Sequence, residues 1–400
     1  MKNNRVCSFC NSLRALSWII VTNGEVSICD RCIKMGTELI QDAKSPFQKP
    51  ILITNLEIIK GELDNYVIGQ EEVKRAIAVS VHNHFKRIRS STKAEIAKSN
   101  ILLIGPTGSG KTLVASTMAK FLRVPFTIAD ATNLTEAGYV GEDVESILHK
   151  LLQACNYNVC LAQEGIVYID EIDKLSRKHG NTPTIRDISG EGVQQALLKI
   201  LEGTAISVPI HSSKRNIGPE VVNINTSNIL FICGGSFEGL FEMVNWKNKL
   251  PIGFKRVVTS ATQHKSIGSR KIMPSDLVRY GLIPELVGRL PIIEILQPLN
   301  PKDMMRVLVE PKGALIKQYR YLMRMEGSDL VVCSSALNTI AIKAVLAGTG
   351  ARALRSLLET LLSDVMFELP ITKKMFGAVL DENVINNAKN SILLLNSLKN

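Results

Sequence analysis

Three stretches in the middle of the chain are apolar at every position: Ile101-Leu102-Leu103-Ile104, Ile166-Val167-Tyr168-Ile169 and Ile229-Leu230-Phe231-Ile232. A strand with one wet face alternates apolar and polar residues. An unbroken apolar run indicates burial on both faces, as in the parallel sheet of an α/β fold. From about Gly61 to Gln297 such runs alternate with longer helical patterns, until Pro298 and Pro301 interrupt. Asn300 reads as a helix N-cap with Pro301 at the first helical position. Beyond it the pattern is helical, apart from a short apolar segment at Leu330-Val331-Val332. Toward the other end, Ser45-Pro46-Phe47 and Lys49-Pro50 have linker chemistry. The expected organisation is a cysteine-bearing module over 1–44, a linker over 45–60, a large α/β domain over 61–297 and a small, mainly helical domain over 298–400. No internal repeat or low-complexity tract is visible.

The first apolar run leads into Gly105-Pro106-Thr107-Gly108-Ser109-Gly110-Lys111-Thr112 and then a helical pattern to Leu122. This is G-x-x-x-x-G-K-[ST] in its proper context, a buried strand before and a helix after. Glycines let backbone N–H groups wrap phosphates at a helix N-terminus. Lys111 is placed for the β- and γ-phosphates of ATP, and Thr112 for Mg²⁺. The second run ends in Asp170-Glu171. There Asp170 is expected to hold the magnesium site and Glu171 to act as general base on the attacking water. Asp173 and Lys174, just beyond, read as surface charges. Together these features define a P-loop NTPase.

The sequence has 8 cysteines. Cys7, Cys10, Cys29 and Cys32 form two C-x-x-C pairs, the spacing of a closed four-thiolate Zn²⁺ site that folds a module too small for its own core. Cys155, Cys160, Cys233 and Cys333 are scattered and read as ordinary buried positions. A hydrophobic content of 45% supplies ample core material. The basic N-terminal residues lead into cysteines rather than a signal-type apolar stretch, and no apolar run is long enough to span a bilayer. The expectation is a cytoplasmic protein with no membrane partner. Net charge is +11, with Lys and Arg spread along the chain. A zinc-containing, nucleic-acid-dependent ATPase is the alternative reading. Against it, Arg14 and Arg31 are the only basic residues between Cys7 and Cys32, and aromatics for base stacking are few.

Longer motifs converge on one family. Val67-Ile68-Gly69-Gln70, residues 99–112, Ala129-Asp130-Ala131-Thr132, residues 134–143 (LTEAGYVGED) and residues 190–198 (GEGVQQALL) resemble the ClpX family of AAA+ protein unfoldases. The resemblance runs nearly end to end. HslU shares a similar pore loop but lacks the cysteine module. The resemblance implies a homohexameric ring that hydrolyses ATP, unfolds protein substrates delivered directly or by adaptors, threads them into the ClpP peptidase, and also acts as a remodelling chaperone. A standalone chaperone that never meets a peptidase is the other outcome.

The same resemblance assigns adenine contact to Val67 and Ile68, the arginine finger to Arg289 and the small-domain sensor to Arg352. It makes Tyr139 and Val140 the polypeptide-gripping pore loop and Ile252-Gly253-Phe254 the peptidase-docking tripeptide. It implies that the zinc module dimerises and receives adaptors. Lys214-Arg215-Asn216 stands where the family carries Arg-Lys-His, so one pore-entrance histidine is missing. No clear polar sensor is visible at Cys233-Gly234-Gly235.

Overall fold

The structure, a computed structural model, describes residues 7–10, 20–23, 26–33, 35–36, 55–90, 96–135, 141–176, 190–210, 220–246, 272–372, 376–381, 385 and 393–396. The chain divides into two compact units, Met1–Pro50 and Ile51–Asn400. In the first, strands β1 (Ile20–Asn23) and β2 (Val26–Cys29) form an antiparallel hairpin with Ile20 opposite Cys29.

The second unit is built on a five-stranded parallel sheet. Its strands are β3 (Ile101–Ile104), β4 (Phe126–Asp130), β5 (Ile166–Asp170), β8 (Leu230–Gly235) and β9 (Ile292–Ile295), in the order β4-β5-β8-β3-β9. The three fully apolar runs are the three central strands, buried at every apolar position. Because successive side chains point to opposite faces, each strand feeds two cores. Leu102, Ile104, Val167, Ile169, Phe231 and Cys233 face one layer with the helices Ser146–Ala154 and Glu191–Glu202. Ile101, Leu103, Ile166, Tyr168, Leu230 and Ile232 face the other, with Leu56–Asp64, Glu71–Arg89 and Lys111–Leu122. Each Val, Leu, Ile or Phe among them contributes about 1.5–3 kcal/mol relative to exposure. A side hairpin, β6 (Ala205–Ile210) with β7 (Glu220–Asn225), leaves this sheet.

A third core lies C-terminal to β9. Met304, Leu308, Met323, Leu330, Ile340, Leu354, Leu358 and Leu362 join helices Pro301–Val309, Leu315–Met325, Ser334–Leu346 and Arg352–Thr372. Asn300 caps the first of these, accepting from Asp303 N–H at 2.8 Å, with Pro301 next. Three strands, β10 (Asp329–Val332), β11 (Phe376–Leu380) and β12 (Leu393–Asn396), form a small sheet in this part of the chain.

Three sequence readings change. The helix Leu56–Asp64 begins inside the stretch read as linker, because Ile59 and Leu63 bury in the same core as helices Glu71–Arg89 and Lys111–Leu122, against which it packs. Asp173 is buried rather than a surface charge. Of the scattered cysteines, Cys155 and Cys233 are buried, but Cys160 is exposed and Cys333 is only half-buried. Among the described residues no helix is long and apolar enough to cross a membrane.

Candidate functional site

Parallel strands deliver their C-terminal ends to one edge, and there the predicted phosphate residues meet. Strand β3 turns through 105–110 into the helix Lys111–Leu122, with Gly108 and Gly110 at φ 75° and 102°. At Gly108 a side chain is excluded twice over, by that left-handed φ and because a β-carbon would overlap the Thr349 carbonyl. Gly105 N–H donates to Gly235 O at 3.1 Å, tying the loop to the end of β8. Ser109 hydroxyl donates to Pro106 O at 2.8 Å. Lys111 Nζ bonds the carbonyls of Gly105 (2.6 Å) and Pro106 (3.1 Å). Burial holds its ammonium below the ordinary pKa, and Asp170 partly offsets this.

Thr112 hydroxyl donates to Asp170 Oδ2 at 3.3 Å. Asp170 Oδ1 accepts from Tyr168 hydroxyl at 3.1 Å and from Glu171 N–H at 3.0 Å. Glu171 has a left-handed backbone, φ 56°, which turns the chain sharply off β5. Beyond it Asp173 is 4% exposed. Its carboxylate accepts from Ser236 N–H (3.2 Å), Ser236 hydroxyl (3.0 Å) and Phe237 N–H (3.3 Å). Strand β8 lies between β3 and β5, so its end is held by both motifs.

A cavity of about 570 Å³ opens over this edge, within the usual ligand-site range. Lys111, Thr112, Asp170, Glu171, Asp173 and Ser236 line it from the sheet side. Val307, Leu315, Arg352 and Arg355 line it from the helical part. The contact between the two sides is backbone to backbone: Ala351 N–H donates to Gly108 O at 3.2 Å. The residues suit a nucleoside triphosphate and a divalent cation. Donors and cations line the loop side, and a hydroxyl and a carboxylate are already paired where a cation would be shared.

Val67 and Ile68 are buried and line a separate cavity of about 220 Å³ with Lys74, Arg306 and Lys312. Its Arg306 is the sequence neighbour of Val307 in the larger cavity. Arg289 does not line the phosphate cavity. Its carbonyl accepts from Asn100 Nδ2 at 3.0 Å, and its guanidinium pairs with Glu202 at 2.8 Å. Asn100 precedes β3, so Arg289 sits at the opposite edge of the sheet from the phosphate loop, a strand length of about 13 Å away.

In the N-terminal unit the sulfurs of Cys7, Cys10, Cys29 and Cys32 lie within 4.8 Å of one another, and Cys10 and Cys29 are 3.6 Å apart. A tetrahedral zinc with bonds of about 2.3 Å has sulfur–sulfur edges of about 3.8 Å, so the cluster fits a closed site. Cys29 N–H donates to Cys7 Sγ at 3.3 Å and Cys32 N–H to Cys29 Sγ at 3.4 Å. Backbone donation, chiefly from Cys10, pulls the Cys7 thiol down to about 6. Hydrogen bonding with Cys10 and burial push Cys32 up to about 12. Four thiols this close resist joint ionisation unless a cation joins them.

Comparison with known proteins places this geometry. Residues 96–293 match the AAA domain (Cdc48 subfamily). Over 392 residues the chain is 46% identical to an ATP-dependent Clp protease ATP-binding subunit ClpX from Treponema denticola, covering 96% of this chain and 94% of that protein. ClpX proteins of the same description from Borrelia duttonii and Bacteroides thetaiotaomicron are each 45% identical, covering 97% and 95% of this chain and 92% and 95% of their own lengths. The chain belongs to the ClpX family.

Family membership makes it an AAA ATPase. The ends of the segment carrying Tyr139 and Val140 are joined: Leu134 bridges Glu142, and Thr135 N–H donates to Glu142 O at 3.0 Å. Tyr139 and Val140 themselves lie outside the described residues, as do Ile252, Gly253 and Phe254 and the segment Lys214-Arg215-Asn216. Sequence reasoning missed Ser236, Asp173 and Arg355. The only available signals were a hydroxyl directly after Gly234-Gly235, a third acid near the end of β5, and an arginine three residues, about one turn, beyond Arg352.

Proposed function

We propose that this chain is the ATP-hydrolysing, protein-unfolding subunit of a Clp protease, a cytoplasmic homohexameric ring that threads substrates into the ClpP peptidase and remodels others without degrading them. The names of its relatives support the Clp assignment. The observation that carries the reading is the division of labour around the sheet. Lys111, Thr112, Asp170, Glu171 and Arg352 converge on one cavity, while Arg289 stands at the opposite edge.

The backbone of 105–110, with Pro106, Thr107 and Ser109 between its glycines, cradles the phosphates of ATP. Lys111 exchanges its two carbonyl partners for phosphate oxygens. Thr112 and Asp170 hold Mg²⁺, which when bound screens phosphate charge. Glu171 takes a proton from the attacking water. Arg352 reaches the phosphates from the helical part and ties its movement to hydrolysis. Arg289 is too far from its own cavity and serves the neighbouring subunit's, so turnover depends on assembly. Val67 and Ile68 face the adenine. Tyr139 and Val140 grip the polypeptide, the tyrosine offering a large, rigid contact area to any sequence. Ile252, Gly253 and Phe254 form the plug that docks ClpP, and Cys7, Cys10, Cys29 and Cys32 hold a structural Zn²⁺ in a module that receives adaptors.

The test is degradation of a folded, tagged protein by the chain with ClpP. Tyr139→Ala is expected to hydrolyse ATP at close to the parental rate and to lose degradation. Undiminished degradation by that variant removes the gripping role.

A further inference from the structure

Gln70 departs from what its position favours. It occupies the N-cap of the helix Glu71–Arg89 but makes no capping bond, and its backbone is left-handed at φ 58°, directly after Gly69 at φ 67°. A non-glycine residue in that region costs about 1 kcal/mol or more and persists where its surroundings impose it. Here the imposing contact is long-range. Gln70 Nε2 donates to Gln297 O at 2.7 Å, and Gln297 N–H donates to Gln70 Oε1 at 2.9 Å. The side-chain amide thus pairs with a main chain 227 residues away, as a neighbouring strand would.

Gln297 is a particular partner. Leu296 N–H still bonds β3 through Ile104 O at 2.7 Å, and Pro298 follows, so Gln297 is the last residue before the chain leaves for the helix at Pro301. The other end of the same segment is also tied: Lys312 N–H, beyond that helix, donates to Asn65 O at 2.9 Å. Val67 and Ile68 lie between the two ties. Lys74, buried at 2% exposure, steadies the segment from beneath through Asp64, Glu71 (2.7 Å) and the Val67 carbonyl (3.4 Å).

We propose that Gln70 is a positioning residue whose amide clasps the base-facing segment to Gln297, so that nucleotide held against Val67 and Ile68 fixes the pivot on which the helical part turns. The inference rests on the proposed base contact. The clasp acts before chemistry, on how well the segment and the helical part close on nucleotide. It therefore affects ATP affinity more than turnover.

The experiment measures ATP hydrolysis by the full chain for Gln70→Ala, Gln70→Glu and Ile68→Asp, with melting temperatures. Gln70→Ala removes both bonds. Gln70→Glu keeps the shape and one acceptor but sets a carboxylate against the Gln297 carbonyl. Both are expected to raise KM for ATP about tenfold with kcat within about twofold, the loss of one to two hydrogen bonds. Should Gln70→Ala melt early, the isosteric Gln70→Glu decides. KM within about twofold of parent in Gln70→Glu, or kcat falling in step with melting temperature, overturns the clasp. Ile68→Asp separates the two ideas: weakened ATP binding there with unaffected Gln70 variants rejects the clasp alone, and unchanged binding in Ile68→Asp rejects the base contact beneath it.

Discussion

Replacing Asp173 tests whether the end of β8 belongs to the working site. Its buried carboxylate accepts three hydrogen bonds, two from backbone N–H groups and one from the Ser236 hydroxyl. Asp173→Ala strands Ser236 N–H and Phe237 N–H, whereas the hydroxyl can rotate toward the cavity. Each unsatisfied buried donor costs about 1–3 kcal/mol, so the loss is about 2–6 kcal/mol before relief from removing a buried charge. Asp173→Asn keeps one acceptor oxygen but turns an amide N–H₂ toward a donor, a loss of about 1–2 kcal/mol. Gly235 leaves no slack, since a β-carbon there would lie 2.7 Å from Asp173 Oδ1. Ser236 lines the cavity beside Glu171, so the displaced turn is expected to lower kcat about tenfold, equivalent to about 1.4 kcal/mol in the barrier. Thermal melts and steady-state ATP hydrolysis are the assays, with the order parent, Asn, Ala in both. An Asp173→Ala protein that melts with the parent and turns over at its rate refutes the reasoning.

Two further predictions concern other parts of the molecule. A chelator strong enough to strip zinc is expected to release one metal per chain and to expose Cys7, Cys10, Cys29 and Cys32 to a thiol reagent, above the baseline of exposed Cys160; equal reactivity with and without chelator contradicts a closed metal site. Burial, with Arg87 beside it, pulls His84 down to about 3, so it stays neutral in the fold while the unfolded chain takes up a proton below about 6.5. Stability carried by His84 is therefore present above pH 6.5 and lost as pH falls toward 3, about 2 kcal/mol of it between pH 7 and pH 5. His84→Gln, which can still donate to Asn228 O, should flatten that part of the profile, and parallel losses in parent and variant count against it.

The central sheet was legible because two-sided burial leaves β3 and β8 without a polar position and leaves β5 apolar until its last residue, Asp170. Edge strand β4 escaped notice because its sides are unequal, with Ile128 exposed between buried Thr127 and Ala129. The small sheet of β10, β11 and β12 was largely missed, since β11 pairs with a strand over forty residues earlier and short apolar runs do not declare their partners. The phosphate loop and the acids of β5 were legible because their chemistry demands residue types in fixed order. Asp173 was not, because an acid after a strand reads as solvated until the donors of 236 and 237 are seen above it. Gln70 and Glu202 act on partners 227 and 87 residues away, distances over which local pattern carries no signal.

The central proposal is that Arg289 completes a neighbour's site rather than its own. Arg289→Ala chains and Glu171→Gln chains should each hydrolyse ATP poorly alone. Mixed one to one, about a quarter of head-to-tail boundaries pair an intact Glu171 cavity with an intact Arg289, and hydrolysis should return in that proportion. No recovery on mixing, or an Arg289→Ala protein that hydrolyses ATP at the parental rate by itself, contradicts it.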